Sequence, residues 1–290
     1  MGSLPSLIVA GLSTGSVYAL VALGFNVIFK STDAINFAQG EWVMLGGMVA
    51  AASVAARVPL LFAVAIAVLV VVVVAVLSER LVVSRLRPPT PLAVTLVTIA
   101  LAICTKSLVM LVLGKNPADL PAFSGDEAVV WGSVRIRPQT FWIVGTCAVV
   151  MAAMHIFFER TTPGRAMRAA AAQPEAAALC GIDPRLATAF AFALAAAVGA
   201  VAGIIVTPLT LTSFDHGTVL GFKGFAAAML GGLGSLPGAL LGGIVLGLLE
   251  ALAGGLVSSH FKDAVAFVAL IATLFWRPAG LLGRREVHRV

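Results

Sequence analysis

Apolar runs of membrane-spanning length, broken by one long polar stretch, constrain this chain more than any other feature. The most uniform run is Leu60 to Leu77, which shows no strict alternation of apolar and polar residues. In lipid every backbone N–H and C=O must be satisfied within the protein, so such runs read as α-helices and not as barrel strands. Only 11% of the 290 residues are charged and the mean hydropathy is +1.06, where a soluble domain is about a quarter charged. The expected class is an all-α integral membrane protein, one transmembrane domain over residues 1–290. A net charge of +6 would suggest nucleic acid in a soluble protein. Here it is assigned to loops at the membrane surface, and no nucleic-acid partner is expected.

The polar interruption runs from Glu159 to Arg185 and must lie outside the bilayer. Its punctuation marks it as folded. Thr162-Pro163, Gln173-Pro174 and Asp183-Pro184 each place a proline at a helix start, and Gly181 supplies a stop. Two short helices are predicted, Pro163 to Ala172 and Pro174 to Cys180. Glu175 falls in the first turn of the second, where the helix dipole favours a carboxylate. Ala176, Ala177 and Ala178 offer a small-residue surface that another protein could approach closely.

A helix needs about 20 apolar residues to cross. Spans are predicted at Ser6–Phe29, Leu60–Leu77, Pro91–Leu113, Gln139–Phe158, Leu186–Val206, Gly238–Leu256 and Ala264–Trp276, with the first retained rather than cleaved. Residues 30–47 are too polar for a plain span and lead into a helix ending near Ala56. Thr207 to Lys223 reads as a polar connection, and Gly224 to Leu236 as a glycine-rich segment. Nine crossings result, or eight if the N-terminus lies on the other side or residues 30–47 only re-enter. With residues 159–185 in the cytoplasm, twelve basic residues face inward: Lys30, Arg80, Arg85, Arg87, Arg160, Arg165, Arg168, Arg185, Arg277, Arg284, Arg285 and Arg289. Five face outward: Arg57, Lys115, Arg135, Arg137 and Lys262. This bias follows the positive-inside rule, with the N-terminus outside and the C-terminus cytoplasmic.

Catalytic signals are absent from the sequence. It contains no G-x-x-x-x-G-K-[ST], H-E-x-x-H or G-x-S-x-G, and its histidines (His155, His216, His260, His288) are scattered. Cys104, Cys147 and Cys180 are far apart and match neither a metal nor a disulfide framework. Two charges fall inside spans, Lys106 and Glu250. A charge at the bilayer centre costs roughly 2.5–3.5 kcal/mol on insertion scales, so each should face the bundle or a cavity. They are expected to approach each other or to line a translocation path with Asn36, Gln39 and Glu41. For Lys106 the alternative is snorkelling to the outer headgroups. Phe37 with Met44-Leu45-Gly46-Gly47 also matches Phe222 with Met229-Leu230-Gly231-Gly232 at the same spacing, as an internal repeat would.

Glu175-Ala176-Ala177, three residues, then Gly181 resembles the E-A-A-x-x-x-G coupling loop of bacterial ABC importer permeases. Gly11 to Phe29, I-N-F-A-Q-G-E (Ile35 to Glu41), G-G-L-G-S-L-P-G-A-L-L-G-G (Gly231 to Gly243) and the closing R-P-A-G-L-L-G are similar to the H-type permease of branched-chain amino-acid importers. Gln39 stands where that family often has histidine. The resemblance covers nearly the whole chain. It implies a permease heterodimer in the bacterial inner membrane, with two ATPase subunits and a periplasmic binding protein as partners. It also implies that ATP and Mg²⁺ sit on the ATPases and no cofactor on this chain. Arg165, Arg168, Glu175, Ala176, Ala177 and Gly181 would then form the ATPase contact. A secondary transporter or channel for a small polar solute is the rival reading, since Lys106 and Glu250 could form an ion relay.

Overall fold

The computed structural model describes residues 4–86, 90–125, 127–131, 134–256, 262–277 and 279–283. Arg87, Asp126, His260, His288 and the basic residues Arg284, Arg285 and Arg289 of the charge map lie outside them. The described chain is helical: α1 (Leu4–Thr32), α2 (Gln39–Ala55), α3 (Leu60–Leu81), α4 (Pro91–Val112), α5 (Pro138–Arg160), α6 (Thr162–Ala172), α7 (Pro174–Leu179), α8 (Pro184–Thr210), α9 (His216–Gly231), α10 (Leu236–Leu256) and α11 (Lys262–Trp276). A 3₁₀ turn, Val83–Arg85, follows α3. The departure from an all-α chain is a small antiparallel hairpin between α4 and α5, β1 (Val129–Trp131) and β2 (Val134–Ile136).

Six helices among the described residues are long and apolar enough to cross a membrane: α1, α3, α4, α5, α8 and α10. The remaining apolar helices, α2, α9 and α11, have 17, 16 and 15 residues. The eight or nine crossings expected from sequence thus exceed what length alone supports. α1 and α8 are the most enclosed, while α3, α4 and α5 leave most of their apolar surface open, including Leu61, Leu92 and Leu111. Lipid tails are as apolar as leucine, so these faces carry no penalty in a bilayer, and helix contact depends on close packing.

Small residues provide that packing. A Cβ on Gly247 of α10 would run into the backbone of Gly15 on α1, and one on Gly243 into Ala19. Gly46 of α2 presses on the backbone of Ala200 in α8, and Gly203 of α8 on the carbonyl of Val43. Trp42 fills the space beside this crossing, its ring 5.8 Å from that of Phe192.

The polar sequence before α2 has a specific place. Gln39, the first residue of α2, lies against Gly24 of α1 and Gly199 of α8, each well inside its own helix. α2 therefore begins partway along the bundle. The lead-in segment needs partners for its backbone at that depth and has them. The Phe37 N–H donates to Thr98 Oγ1 (3.1 Å) and the Ala38 N–H to Asn36 Oδ1 (3.1 Å). The Gln39 N–H donates to the Asn36 carbonyl (3.2 Å).

The region 207–223 differs from expectation. α8 continues to Thr210 through Pro208, and α9 has already begun at His216. Thr207 needs no solvent because its hydroxyl donates back to the Gly203 carbonyl at 2.7 Å. The intervening turn is tied to the loop after α4 by a pair of backbone bonds between Ala118 and Thr212.

Candidate functional site

Two regions hold the residues singled out from sequence. The first is the polar stretch 159–185. α6 is capped by Thr161, one residue before the expected Thr162: its Oγ1 accepts the Gly164 N–H at 3.2 Å. Gly164 lies against the Phe157 carbonyl, which lets α6 turn back onto the end of α5, and Met167 and Ala170 are buried beneath it. α7 starts at Pro174 and ends one residue earlier than expected, at Leu179. Gly181 then adopts φ +81°, the left-handed stop predicted for it, with open space around it. Asp183 caps α8 by accepting the Arg185 N–H at 2.9 Å.

Arg165 and Glu175 are exposed, as are Ala176, Ala178 and Gly181. Arg168 is half-buried and pairs with Glu159 at 3.0 Å, which braces α6 against the end of α5. Ala177 departs from its expected role. It is buried, because α7 lays that face on the protein, whereas the resemblance implied an outward contact. Leu179 is the large apolar side chain that α7 leaves open. It is 91% exposed, one helical turn beyond Glu175 and Ala176, and α7 presents it outward. The signal in the sequence was a large apolar residue four positions after Glu175.

The second region is a groove of about 410 Å³ between the start of α2, α4 and α9. Glu41 stands on the first turn of α2, almost wholly buried. Its Oε1 accepts the Thr218 hydroxyl at 2.9 Å, and its Oε2 has no hydrogen-bond partner. Lys106 reaches from α4 toward the same hydroxyl, Nζ 3.4 Å from Thr218 Oγ1 and 5.7 Å from the centre of the Phe214 ring. It therefore turns toward α9.

The expected pairing of Lys106 with Glu250 does not form. Glu250 Oε1 is 2.8 Å from Lys223 Nζ, and its Oε2 accepts the Tyr18 hydroxyl at 2.6 Å. The physical reason is the early start of α9, which carries Lys223 as a helical residue facing α10. Of the five expected path residues, only Glu41 and Lys106 line this groove. Asn36 and Gln39 are fully buried: Asn36 closes the turn before α2, and Gln39 Nε2 donates to the Ala195 carbonyl at 3.0 Å. Thr218 carries no signal of this role in the sequence, where residues 207–223 have the polarity of a connection; it stands in the first turn of α9. The two halves of the suspected repeat meet here, with the Phe37 and Phe222 rings 6.4 Å apart and α2 crossing α9 where Gly40 meets Gly217 and Gly221.

A family model described as the permease component of branched-chain amino acid transport systems matches residues 7–274. The high-affinity branched-chain amino acid transport system permease protein LivH of Escherichia coli K12 is 34% identical, over 97% of this chain and 96% of its own. BraD of Pseudomonas aeruginosa, described in the same words, is 34% identical over 98% and 97%. The ribose import permease protein RbsC of E. coli is 27% identical over 89% and 82%.

Proposed function

From the premise that the chain belongs to the branched-chain amino acid transport permease family, we propose that it is the membrane-spanning subunit of an ATP-driven importer for branched-chain or closely related amino acids. The observation that carries this is the end-to-end match: both LivH and BraD align over nearly their whole length at 34% identity. Ribose is what RbsC is named for, so the shared scaffold by itself does not select the solute.

In this reading the chain lies in the inner membrane, N-terminus outside and C-terminus in the cytoplasm. It works beside a second permease subunit, two ATPases and a binding protein that delivers the solute. ATP and Mg²⁺ are held by the ATPases. The α6–α7 pair is the cytoplasmic lever, and its geometry suits that task. α6 is locked to α5 through Gly164 and Arg168, while α7 offers Glu175, Ala176 and Leu179 outward. A push on α7 thus passes through α6 to two long helices, α5 and α8. Affinity purification of the tagged chain from its native membranes tests the assembly. Two ATPase copies per complex are expected to copurify, and recovery of the chain without any ATPase would overturn it.

A further inference from the structure

We propose that the groove between α2, α4 and α9 reads the charged head of an amino acid in transit: Glu41 takes the ammonium group and Lys106 the carboxylate. This rests on the importer reading above and names a place within the path. Glu41 is 3% exposed, and one of its carboxylate oxygens has no hydrogen-bond partner. An unsatisfied polar oxygen at such a site is costly, and a solute ammonium with three donors supplies what is missing. The backbone leaves room for this carboxylate. A Cβ on Gly217 would stand 2.5 Å from Glu41 Oε2. Lys106 is a compact cation with three donors, one of them directed at Thr218 Oγ1. Thr218 stands between the two charges, donating to Glu41 and accepting from Lys106, and so holds them apart as two poles. A zwitterion offers the complementary pair of poles.

The remaining walls are apolar, with Phe37, Ile99, Ile103 and Phe222 around the charges. Such a surface suits an aliphatic side chain, and about 410 Å³ lies within the roughly 300–1,000 Å³ usual for small-molecule sites. A sugar such as ribose carries no charge and would leave both poles unmatched.

The test uses the whole complex in proteoliposomes with leucine-loaded binding protein, and reads leucine imported per ATP hydrolysed. Leucine import by the wild-type complex decides the importer reading, and its absence removes that reading and this site together. Given import, Lys106→Met is expected to lower the ratio at least fivefold and Lys106→Arg to keep it within twofold of wild type. Thr218→Val, a milder change that tests the same pair if Lys106→Met fails to assemble, is expected to lower it at least twofold. A ratio unchanged in Lys106→Met or, failing its assembly, in Thr218→Val overturns the proposal even if import and ATP hydrolysis fall together. So does an equal fall in the methionine and arginine variants.

Discussion

Lys223 and Glu250 meet inside the bundle, Nζ to Oε1 2.8 Å, and so join α9 to α10 by a charge pair that the Tyr18 hydroxyl of α1 completes. Three helices converge on one carboxylate. Removing one member of such a pair strands the other charge, which in buried pairs costs about 3–5 kcal/mol, whereas removing both charges costs far less. Glu250→Gln alone and Lys223→Met alone are expected to lower the thermal midpoint of the purified protein in detergent sharply. The double variant should regain most of the loss, since glutamine still accepts the Tyr18 hydroxyl. Single variants as stable as wild type would remove the structural role.

The α1–α10 contact depends on glycine at one place above all. Gly247→Val would drive a side chain into the Gly15 backbone, where no flexible group can yield. Loss of the monodisperse folded species is expected on size-exclusion chromatography. Gly145 on α5 has nothing within 4 Å of the place a methyl group would take, so Gly145→Ala should be neutral or stabilising by up to about 1 kcal/mol.

Leu179→Asp tests the coupling surface more cleanly than a change at Gly181. Leu179 is 91% exposed, so no packing is lost. Gly181 holds φ +81°, and Gly181→Asp adds a backbone penalty of about 1–2 kcal/mol to any effect on contact. Leu179→Asp is expected to leave the thermal midpoint unchanged and to lower ATP hydrolysis stimulated by loaded binding protein at least tenfold in the reconstituted complex. Normal stimulation would take α7 out of the ATPase contact. Gly181→Asp should also abolish stimulation while the permease stays in the membrane.

Orientation is open to direct labelling. Cys104 and Cys180 are exposed in the isolated chain and Cys147 is buried, so a cysteine-free background comes first. In it, Ser124→Cys should react with an impermeant thiol reagent in intact cells, because Ser124 lies in the loop between α4 and α5. Ala172→Cys, at the end of α6, should react only after permeabilisation. The reverse pattern would place α6 and α7 on the outer face and overturn the coupling role with it.

The legible parts of this fold were those announced by single residues with strong local preferences. Pro163, Pro174 and Pro184 stand in the first turns of α6, α7 and α8, and Gly181 terminates the second short helix, as the sequence indicated. Long apolar runs became long helices for the same local reason. What stayed hidden depended on partners distant in sequence. Lys223 and Thr218 give residues 207–223 the polarity of a connection, since the partners that offset it lie far away in sequence. In the folded chain Glu250 and Glu41 satisfy them, and α9 begins earlier. The lead-in to α2 was obscured likewise, its backbone needs being met by Thr98 from α4. The partners of Glu250 and Lys106, Lys223 and Thr218, both stand on α9 because it starts at His216.

The most direct measurement of the central claim is uptake of labelled leucine into proteoliposomes holding the complete complex, with binding protein outside and ATP sealed inside. Uptake is expected to require both internal ATP and loaded binding protein, and to persist when ionophores collapse every ion gradient. Leucine accumulation without ATP, driven by an imposed ion gradient, would contradict it.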